Sequence, residues 1–209
     1  LRRSAAGKQL LRMFFLRTAA KKKAMAEAAG TARPVQSVVV LGGGTMGAGI
    51  AAACATAGIC TCVIEASEAS AQAARARLRD MPGGSTVDVT ADWNHVATAD
   101  LVVEAASEDL DVKQRIFRRL GELARPDAVL ATNTSSLGIA PLADFTRHPS
   151  RVIGLHFFNP VARMPLVEVV RGVESAVDAV ATGVAVATML GKTPVVCRDA
   201  PGFIVNRVL

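Results

Sequence analysis

Val38-Val39-Val40-Leu41-Gly42-Gly43-Gly44-Thr45-Met46-Gly47 is an apolar run that breaks into glycines and then resumes at helical spacing. This order predicts a strand, a tight turn and a helix. Gly42, Gly44 and Gly47 fill the glycine positions of GxGxxG, which allow the turn, the approach of backbone to a pyrophosphate, and close packing of helix on strand. The free N–H groups at the start of such a helix favour phosphate.

A second predicted strand strengthens this interpretation. The run Thr61-Cys62-Val63-Ile64 ends at Glu65, 21 residues beyond Gly44. A carboxylate at this distance accepts hydrogen bonds from a ribose 2′-OH. Strand, glycine turn, helix, strand and acid together predict a dinucleotide site. Because no Arg closely follows Glu65, NAD is the expected cofactor.

Strands and helices alternate over the rest of the chain. This alternation predicts right-handed crossovers and a doubly wound, mainly parallel α/β sheet of the Rossmann type, with a linker helix before it. Further strands are predicted at residues 86–90, 99–105, 128–132, 151–155, 166–170 and 194–197, and further helices at residues 66–80, from Asp109 onward and at 174–190.

Composition fits a protein with one well-buried domain. The chain has 209 residues, of which 51% are hydrophobic, and no apolar stretch approaches the roughly 20 residues that cross a bilayer, so we expect a soluble protein. The net charge is +6, but residues 1–34 hold nine bases and one acid, whereas residues 35–209 hold 15 bases and 17 acids. The basic character belongs to the leader, and no nucleic-acid partner is expected.

The leader, residues 1–34, has two interpretations. Its basic, acid-poor amphipathic pattern is typical of an organelle transit peptide. Because the chain begins with Leu1 rather than Met, we favour a linker helix that joins an upstream domain. We therefore divide the chain into a linker over 1–34, a dinucleotide-binding domain over 35–200, and the start of a further helical domain over 201–209.

The four cysteines lack the spacing of a metal motif. Cys54, Cys60, Cys62 and Cys197 are predicted to be reduced residues of the core. No metal is expected. His95 and His148 lie in polar surroundings and are predicted to be exposed.

Several motifs in one order resemble the NAD-binding half of the L-3-hydroxyacyl-CoA dehydrogenases of fatty-acid β-oxidation, over about residues 36–209. The resemblance rests on Leu41 to Gly47, Val103-Glu104-Ala105 with Glu108 and Lys113, Asn133-Thr134-Ser135-Ser136-Leu137, His156-Phe157-Phe158-Asn159-Pro160, Met164-Pro165-Leu166-Val167-Glu168, and Pro201-Gly202-Phe203-Ile204-Val205-Asn206-Arg207. The leader resembles the helix between the enoyl-CoA hydratase and dehydrogenase domains of multifunctional enzymes.

Oxidation of an alcohol requires a base beside the hydroxyl group, since the hydroxyl proton must leave as the hydride moves to the nicotinamide. His156 is the one histidine that ends a predicted strand, at the side of a parallel sheet where ligands bind. Glu168 interrupts an apolar strand, where an unpaired carboxylate is costly, and would orient the imidazole. The alternatives are structural: a hydrogen-bonded histidine, and a glutamate that faces solvent.

The resemblance implies further roles. Ser135 and Asn206 match residues that hold the substrate oxygen, although either is also a plausible turn or cap residue. The residues that match cofactor-binding or site-shaping positions are Gly42, Gly44, Thr45, Met46, Gly47, Glu65, Glu108, Lys113 and Asn159.

The implied reaction is NAD-dependent oxidation of L-3-hydroxyacyl-CoA to 3-oxoacyl-CoA. The implied partners are an acyl-CoA substrate, an upstream enoyl-CoA hydratase domain, a downstream helical domain and a homodimer formed through that domain. A bacterial cytoplasm is expected, with mitochondria or peroxisomes as the eukaryotic alternatives. A scaffold that keeps the fold without catalysis, and a dehydrogenase of small hydroxy acids, are the competing functions.

One departure from the family is visible. Between the helix after Glu65 and the strand near Thr86, the family usually carries a longer helical hairpin that helps to hold coenzyme A. Here only Met81-Pro82-Gly83-Gly84 stands in its place, so the resemblance does not imply coenzyme A contacts from this region.

Overall fold

The structure is a computed structural model that describes residues 18–20, 22–26 and 31–208. Residues 18–20 and 22–26 are helical, as predicted for part of the leader. The remaining predictions for residues 1–17 and 27–30 lie outside the described residues. Ala24, in the helical part, is buried against the domain.

Within the part of the chain that the structure describes, residues 37–208 contain eight strands, six α-helices and three short 3₁₀ helices. The strands are β1 (Ser37–Leu41), β2 (Cys60–Ile64), β3 (Asp88–Thr90), β4 (Leu101–Glu104), β5 (Val129–Thr132), β6 (Val152–Phe157), β7 (Leu166–Arg171) and β8 (Thr193–Arg198). The α-helices are α1 (Thr45–Thr56), α2 (Glu68–Arg79), α3 (Leu110–Leu123), α4 (Ala140–Ala143), α5 (Val177–Met189) and α6 (Val205–Val208). Short 3₁₀ helices span Gly84–Thr86, Trp93–Thr98 and Pro149–Arg151.

The strands form one sheet in the order β3-β2-β1-β4-β5-β6-β7-β8. Every pair from β3 to β6 is parallel. The strand order reverses between β1 and β4, because β2 and β3 are added on one side of β1 and β4 to β6 on the other. In open α/β sheets, ligands bind at such a point. The predicted Rossmann-type, mainly parallel α/β fold is confirmed.

The β6–β7 pair departs from the predicted alternation of strands and helices. No helix separates these two strands, and they pair antiparallel. The physical reason is length, because a parallel crossover needs about a dozen or more residues and the connection over 158–165 is shorter. β8 then pairs parallel to β7.

The sheet is buried on both faces, as its Val-rich strands predict. Alternate residues of β1 enter different clusters: Val38 and Val40 pack with α1 and α5, whereas Val39 and Leu41 pack with α3 and α4. Two layers of helix therefore fix the carboxyl ends of the parallel strands at one edge.

Two sequence predictions fail in detail. The predicted strand over 86–90 is shorter, because its start is taken up by the 3₁₀ helix Gly84–Thr86. Cys60 is exposed rather than in the core, because it is the first residue of β2, where the strand leaves the covered part of the sheet; Cys197 is half-buried, and Cys54 and Cys62 are buried as predicted. Among the described residues, no helix is long and apolar enough to cross a membrane.

Candidate active site

The glycine turn has the geometry that its sequence predicts. Gly42 has φ of +93°, a conformation that side chains disfavour, and its N–H donates to the Ile64 carbonyl at 2.9 Å. A Cβ on Gly47 would overlap the carbonyl oxygen of Gly42. The first glycine therefore makes the turn, and the last one lets α1 pack against it.

The start of α1 fits a phosphate group. No side chain caps this helix, and its first turn contains no acidic residue. A Cβ built on Gly44 would meet nothing within 4 Å, so the open space beside this backbone is available to a ligand. Free N–H groups at a helix start and a cradle without a side chain suit the pyrophosphate of a dinucleotide.

Glu65 lies beside this turn at the end of β2. One of its carboxylate oxygens accepts a hydrogen bond from the Gly43 N–H at 2.6 Å, and the Arg77 guanidinium donates to the Gly43 carbonyl at 2.8 Å. Glu65 also lines a cleft of about 390 Å³, together with Trp93 and Arg119. The Arg119 guanidinium stacks over the Trp93 ring, 4.1 Å from its centroid.

His156 and Glu168 are directly opposite each other in the antiparallel β6–β7 pair. His156 Nδ1 lies 2.7 Å from Glu168 Oε2, and Glu168 is fully buried. Because an ionised carboxylate only accepts hydrogen bonds, Nδ1 carries the proton. The lone pair of the neutral ring is then on Nε2, and His156 lines the cleft that Gly44 and Met46 also line.

The other carboxylate oxygen of Glu168 is held by the chain after β8. Oε1 accepts hydrogen bonds from the backbone N–H groups of Ile204 and Val205, at 3.0 and 2.9 Å. Burial would raise the pKa of Glu168, but the bond from His156 and these two backbone bonds hold that pKa below its ordinary value. Glu168 therefore stays ionised and does not face solvent.

The imidazole is also packed between aromatic rings. Its centroid lies 4.4 Å from that of Phe158 and 5.8 Å from that of Phe203. Phe203 is itself buried. The ring of His156 is thus fixed by the sheet, by one carboxylate and by two aromatic neighbours, which is the support that a general base requires.

One open cleft of about 510 Å³ collects most of the predicted site residues. The predicted residues that line it are Gly44, Thr45, Met46, Glu108, Lys113, Ser135, His156, Asn159 and Asn206. Asn206 Nδ2 donates to the Ser135 carbonyl at 3.1 Å, so these two candidates for binding the substrate oxygen are neighbours. Glu168 lies behind His156, and Gly42 and Glu65 line the separate cleft of about 390 Å³.

Lys113 is not a free cation at the edge of this cleft. It is 1% exposed, and its ammonium donates to both oxygens of Glu104, at 2.7 and 2.8 Å. Glu104, at the end of β4, also accepts from the Thr132 hydroxyl at 2.7 Å and the Ala106 N–H at 2.7 Å. The sequence places Glu104 in a motif but predicts no role for it. An acid at the end of a predicted buried strand was the signal that could have indicated a role for it.

Glu108 connects this buried pair to Ser135. Its carboxylate lies 3.4 Å from the Lys113 ammonium and accepts from the Thr134 hydroxyl at 2.6 Å and the Ser135 N–H at 2.8 Å. Partial burial would raise the pKa of Glu108, but the bonds from Thr134 and Ser135 and the charge of Lys113 hold it below its ordinary value. Glu108 thus anchors the loop after β5 that carries Ser135.

The other two histidines lie outside this cleft. His95 is exposed, as predicted, whereas His148 is half-buried rather than exposed. The backbone N–H of His148 donates to the Thr146 hydroxyl at 3.1 Å, which draws this residue into its turn.

Residues 37–200 match the family described as "3-hydroxyacyl-CoA dehydrogenase, NAD binding domain". The chain belongs to this family. The match covers more than half of the chain, and it includes every element from the glycine turn to β8. The NAD-binding domain predicted from the sequence is confirmed.

Curated relatives extend this result. The chain is 37% identical over 211 residues to a fatty acid oxidation complex subunit alpha of Psychrobacter cryohalolentis, an alignment that covers 93% of this chain and 29% of that protein. It is 43% identical over 190 residues to the 3-hydroxyadipyl-CoA dehydrogenase of Escherichia coli K12, covering 83% of this chain and 40% of that protein. The chain thus spans less than half the length of these relatives, which contain additional regions.

A solved structure agrees in fold. The crystal structure of (S)-3-hydroxybutyryl-CoA dehydrogenase from Ralstonia eutropha superposes with a TM-score of 0.78 at 34% identity. The superposition covers 84% of this chain and 68% of that one.

Proposed function

We propose that this chain is the NAD-binding and proton-accepting part of an enzyme that oxidises L-3-hydroxyacyl-CoA to 3-oxoacyl-CoA. The observation that carries the proposal is the His156–Glu168 pair, which holds an imidazole with its Nδ1 proton fixed at the cleft beside the glycine turn. The names of the relatives, which include 3-hydroxyadipyl-CoA and 3-hydroxybutyryl-CoA dehydrogenases, support this substrate class.

In this mechanism Nε2 of His156 accepts the proton of the 3-hydroxyl group. The positive charge that then develops on the imidazole lies 2.7 Å from the buried carboxylate of Glu168, which stabilises it. The two backbone N–H groups on the other oxygen keep this carboxylate in place. NAD, when bound, supplies the hydride acceptor.

Ser135 and Asn206 are proposed to hold the substrate oxygen beside His156. Their neighbouring positions at one end of the cleft support this role. Glu108 is proposed to act through Ser135, whose N–H and hydroxyl lie 2.8 and 3.3 Å from one Glu108 oxygen. It is thus a positioning residue.

Cofactor binding is proposed to use four features. The uncapped start of α1, with Thr45 and Met46, takes the pyrophosphate, and Gly44 leaves room for it. Glu65 accepts from the adenosine ribose, and Asn159 borders the nicotinamide side of the cleft.

The complete enzyme is proposed to contain regions beyond this chain. A helical domain beginning near residue 201 would close the cleft over the acyl-CoA and pair two protomers, and an enoyl-CoA hydratase domain would precede the leader. The alpha subunit of Psychrobacter, of which the chain covers 29%, supports additional domains. Because the curated relatives named above are bacterial, we propose a bacterial cytoplasmic setting.

The experiment follows NADH absorbance with acetoacetyl-CoA as the substrate, for the chain alone and for the chain extended through the proposed helical domain. We expect both to bind NADH and the extended protein to turn over at least about a hundredfold faster, since small errors of placement cost this much. NADH binding without turnover in both proteins would instead favour a scaffold. Activity restricted to small hydroxy acids would overturn the substrate class.

A further inference from the structure

Three side chains that bind metals meet near the edge strand β3, away from the cleft of His156. They are Cys62 of β2, Asp88 of β3 and His95 of the 3₁₀ helix Trp93–Thr98. One ligand atom from each, namely the thiol sulfur, a carboxylate oxygen and a ring nitrogen, lies within 4.8 Å of the other two. Sequence spacing does not reveal this cluster, because its members come from three different elements.

The fold brings these residues together on one face. Cys62 and Asp88 are partners in the parallel β2–β3 register, so both side chains project to the same side of the sheet. The 3₁₀ helix covers that side, because its Val96 packs in the same core cluster as Cys62. His95 is the residue before Val96 and reaches the same edge.

The three ligand groups are not committed to other strong partners. Cys62 has a single weak contact, from its sulfur to the Val63 carbonyl at 3.8 Å. Within the described residues, the side chains of Asp88 and His95 form no hydrogen bond and no ion pair. Binding a cation would therefore break nothing that holds the fold.

We propose that Cys62, Asp88 and His95 form a binding site for a borderline divalent cation such as Zn²⁺, with water as the fourth ligand. Thiolate and imidazole ligands select zinc over magnesium or calcium. A tetrahedral zinc ion keeps such ligand atoms about 3.3–3.6 Å apart, so side-chain rotations that draw the present cluster together by about 1 Å would complete the site. Asp88 and His95 are exposed and have the freedom to make that adjustment.

The proposed effect of the ion is on the position of the 3₁₀ helix. A bound ion would tie the 3₁₀ helix to β2 and β3, and this helix carries Trp93, which lines the cleft of about 390 Å³ with Glu65. Metal binding would thus fix one wall of this cleft without touching the residues proposed for proton transfer.

Trp93 makes the proposal testable, because it is the single tryptophan of the chain and lies two residues from His95. After dialysis against a chelator, the chain is titrated with Zn²⁺, Co²⁺ and Mg²⁺ while tryptophan fluorescence is recorded. We expect one equivalent of Zn²⁺ to change the fluorescence, Co²⁺ to give a thiolate charge-transfer absorption band, and Mg²⁺ to do neither.

Variants assign the ligands. Cys62→Ser and His95→Ala should each weaken Zn²⁺ binding at least about tenfold. Mutation of a group that only hydrogen-bonds to a metal ligand already weakens binding by about this much, so loss of a ligand should cost no less. Cys60→Ser, a thiol two residues away on the same strand, and His148→Ala are the matched controls and should bind normally. If the Cys62→Ser variant fails to fold because Cys62 is buried, the His95→Ala variant tests the proposal, because His95 is exposed. Absence of saturable Zn²⁺ binding, unchanged binding in His95→Ala, or an equal loss in Cys60→Ser would overturn the proposal.

Discussion

Glu168 and Glu104 are both fully buried carboxylates on strands of the same sheet, yet their partners differ. Glu168 accepts from an imidazole that borders the open cleft and from two backbone N–H groups. Glu104 accepts from the ammonium of Lys113, which is itself 1% exposed, and from Thr132. The partner of Glu168 is a ring that lines the open cleft, whereas the partner of Glu104 is an ammonium that is almost fully buried.

This difference predicts a role in catalysis for Glu168 and a structural role for Glu104. An imidazole exchanges its proton within the physiological pH range, so a carboxylate behind it can stabilise a charge that appears during reaction. The Lys113 ammonium instead donates to both oxygens of Glu104 and so joins α3 to β4. We therefore expect changes at Glu168 to affect turnover and changes at Glu104 or Lys113 to affect folding.

The largest effect is expected at the dyad. In Glu168→Gln the amide oxygen can still accept from Ile204 and Val205, which turns the amide NH₂ toward His156 Nδ1. That arrangement forces the proton onto Nε2, the wrong tautomer for a base. We expect kcat to fall by about a hundred- to ten-thousandfold, the range for general-base catalysis, with NADH affinity near normal. His156→Ala should behave in the same way.

Turnover is measured in the protein extended through the proposed helical domain, by NADH absorbance with acetoacetyl-CoA, and binding is measured by calorimetry. Glu174→Gln, which removes an exposed carboxylate, is the control for the loss of one charge. Unchanged turnover in Glu168→Gln would remove this residue from the mechanism, and loss of NADH binding would indicate a structural role.

The second effect concerns stability. Lys113→Met leaves the buried carboxylate of Glu104 without its ion-pair partner, which costs about 3–5 kcal/mol of unfolding free energy. The matched control is Arg125→Met, because Arg125 is 39% exposed and pairs with Asp127 and Asp100, and ion pairs near the surface contribute only about 0–1 kcal/mol each. Urea titration measures both. Equal losses would show that the Glu104–Lys113 pair is no more than a surface ion pair in energetic terms.

The sequence predicts the glycine turn and the strand that ends at Glu65 well, because both depend on local pattern. It also places His156 and Glu168 at the correct strands. The opposition of the two residues depends on β7 running antiparallel to β6, which an alternation of strands and helices does not predict. The enclosure of Lys113 could not be predicted either, since helical periodicity treats a lysine near a helix start as a surface residue, and the cluster at Cys62 joins elements distant in sequence.

Glu65 is an intermediate case, half-buried and with one oxygen bound to Gly43. Its free oxygen should accept from a ribose hydroxyl and repel a 2′-phosphate. We expect NADH to bind more than about tenfold more tightly than NADPH, or about 1.4 kcal/mol. Calorimetric titration with both nucleotides checks this. Equal affinities would show that Arg77, which donates to the neighbouring Gly43 carbonyl, compensates for the acid.

The smallest expected effect is the pH dependence of stability at Glu168. Its pKa is lowered in the folded protein from an ordinary value of 4.5, so the unfolded chain binds the proton more readily. The stabilisation is therefore complete above about pH 4.5 and is lost as the pH falls through the lower folded-state pKa. We expect the difference in Tm between wild type and Glu168→Gln to be constant near neutrality and to shrink below that value. Thermal melts at a series of pH values measure it, with Glu174→Gln as the exposed control. A difference that stays constant down to the acid-unfolding transition would mean that the bonds from His156, Ile204 and Val205 do not favour the ionised carboxylate.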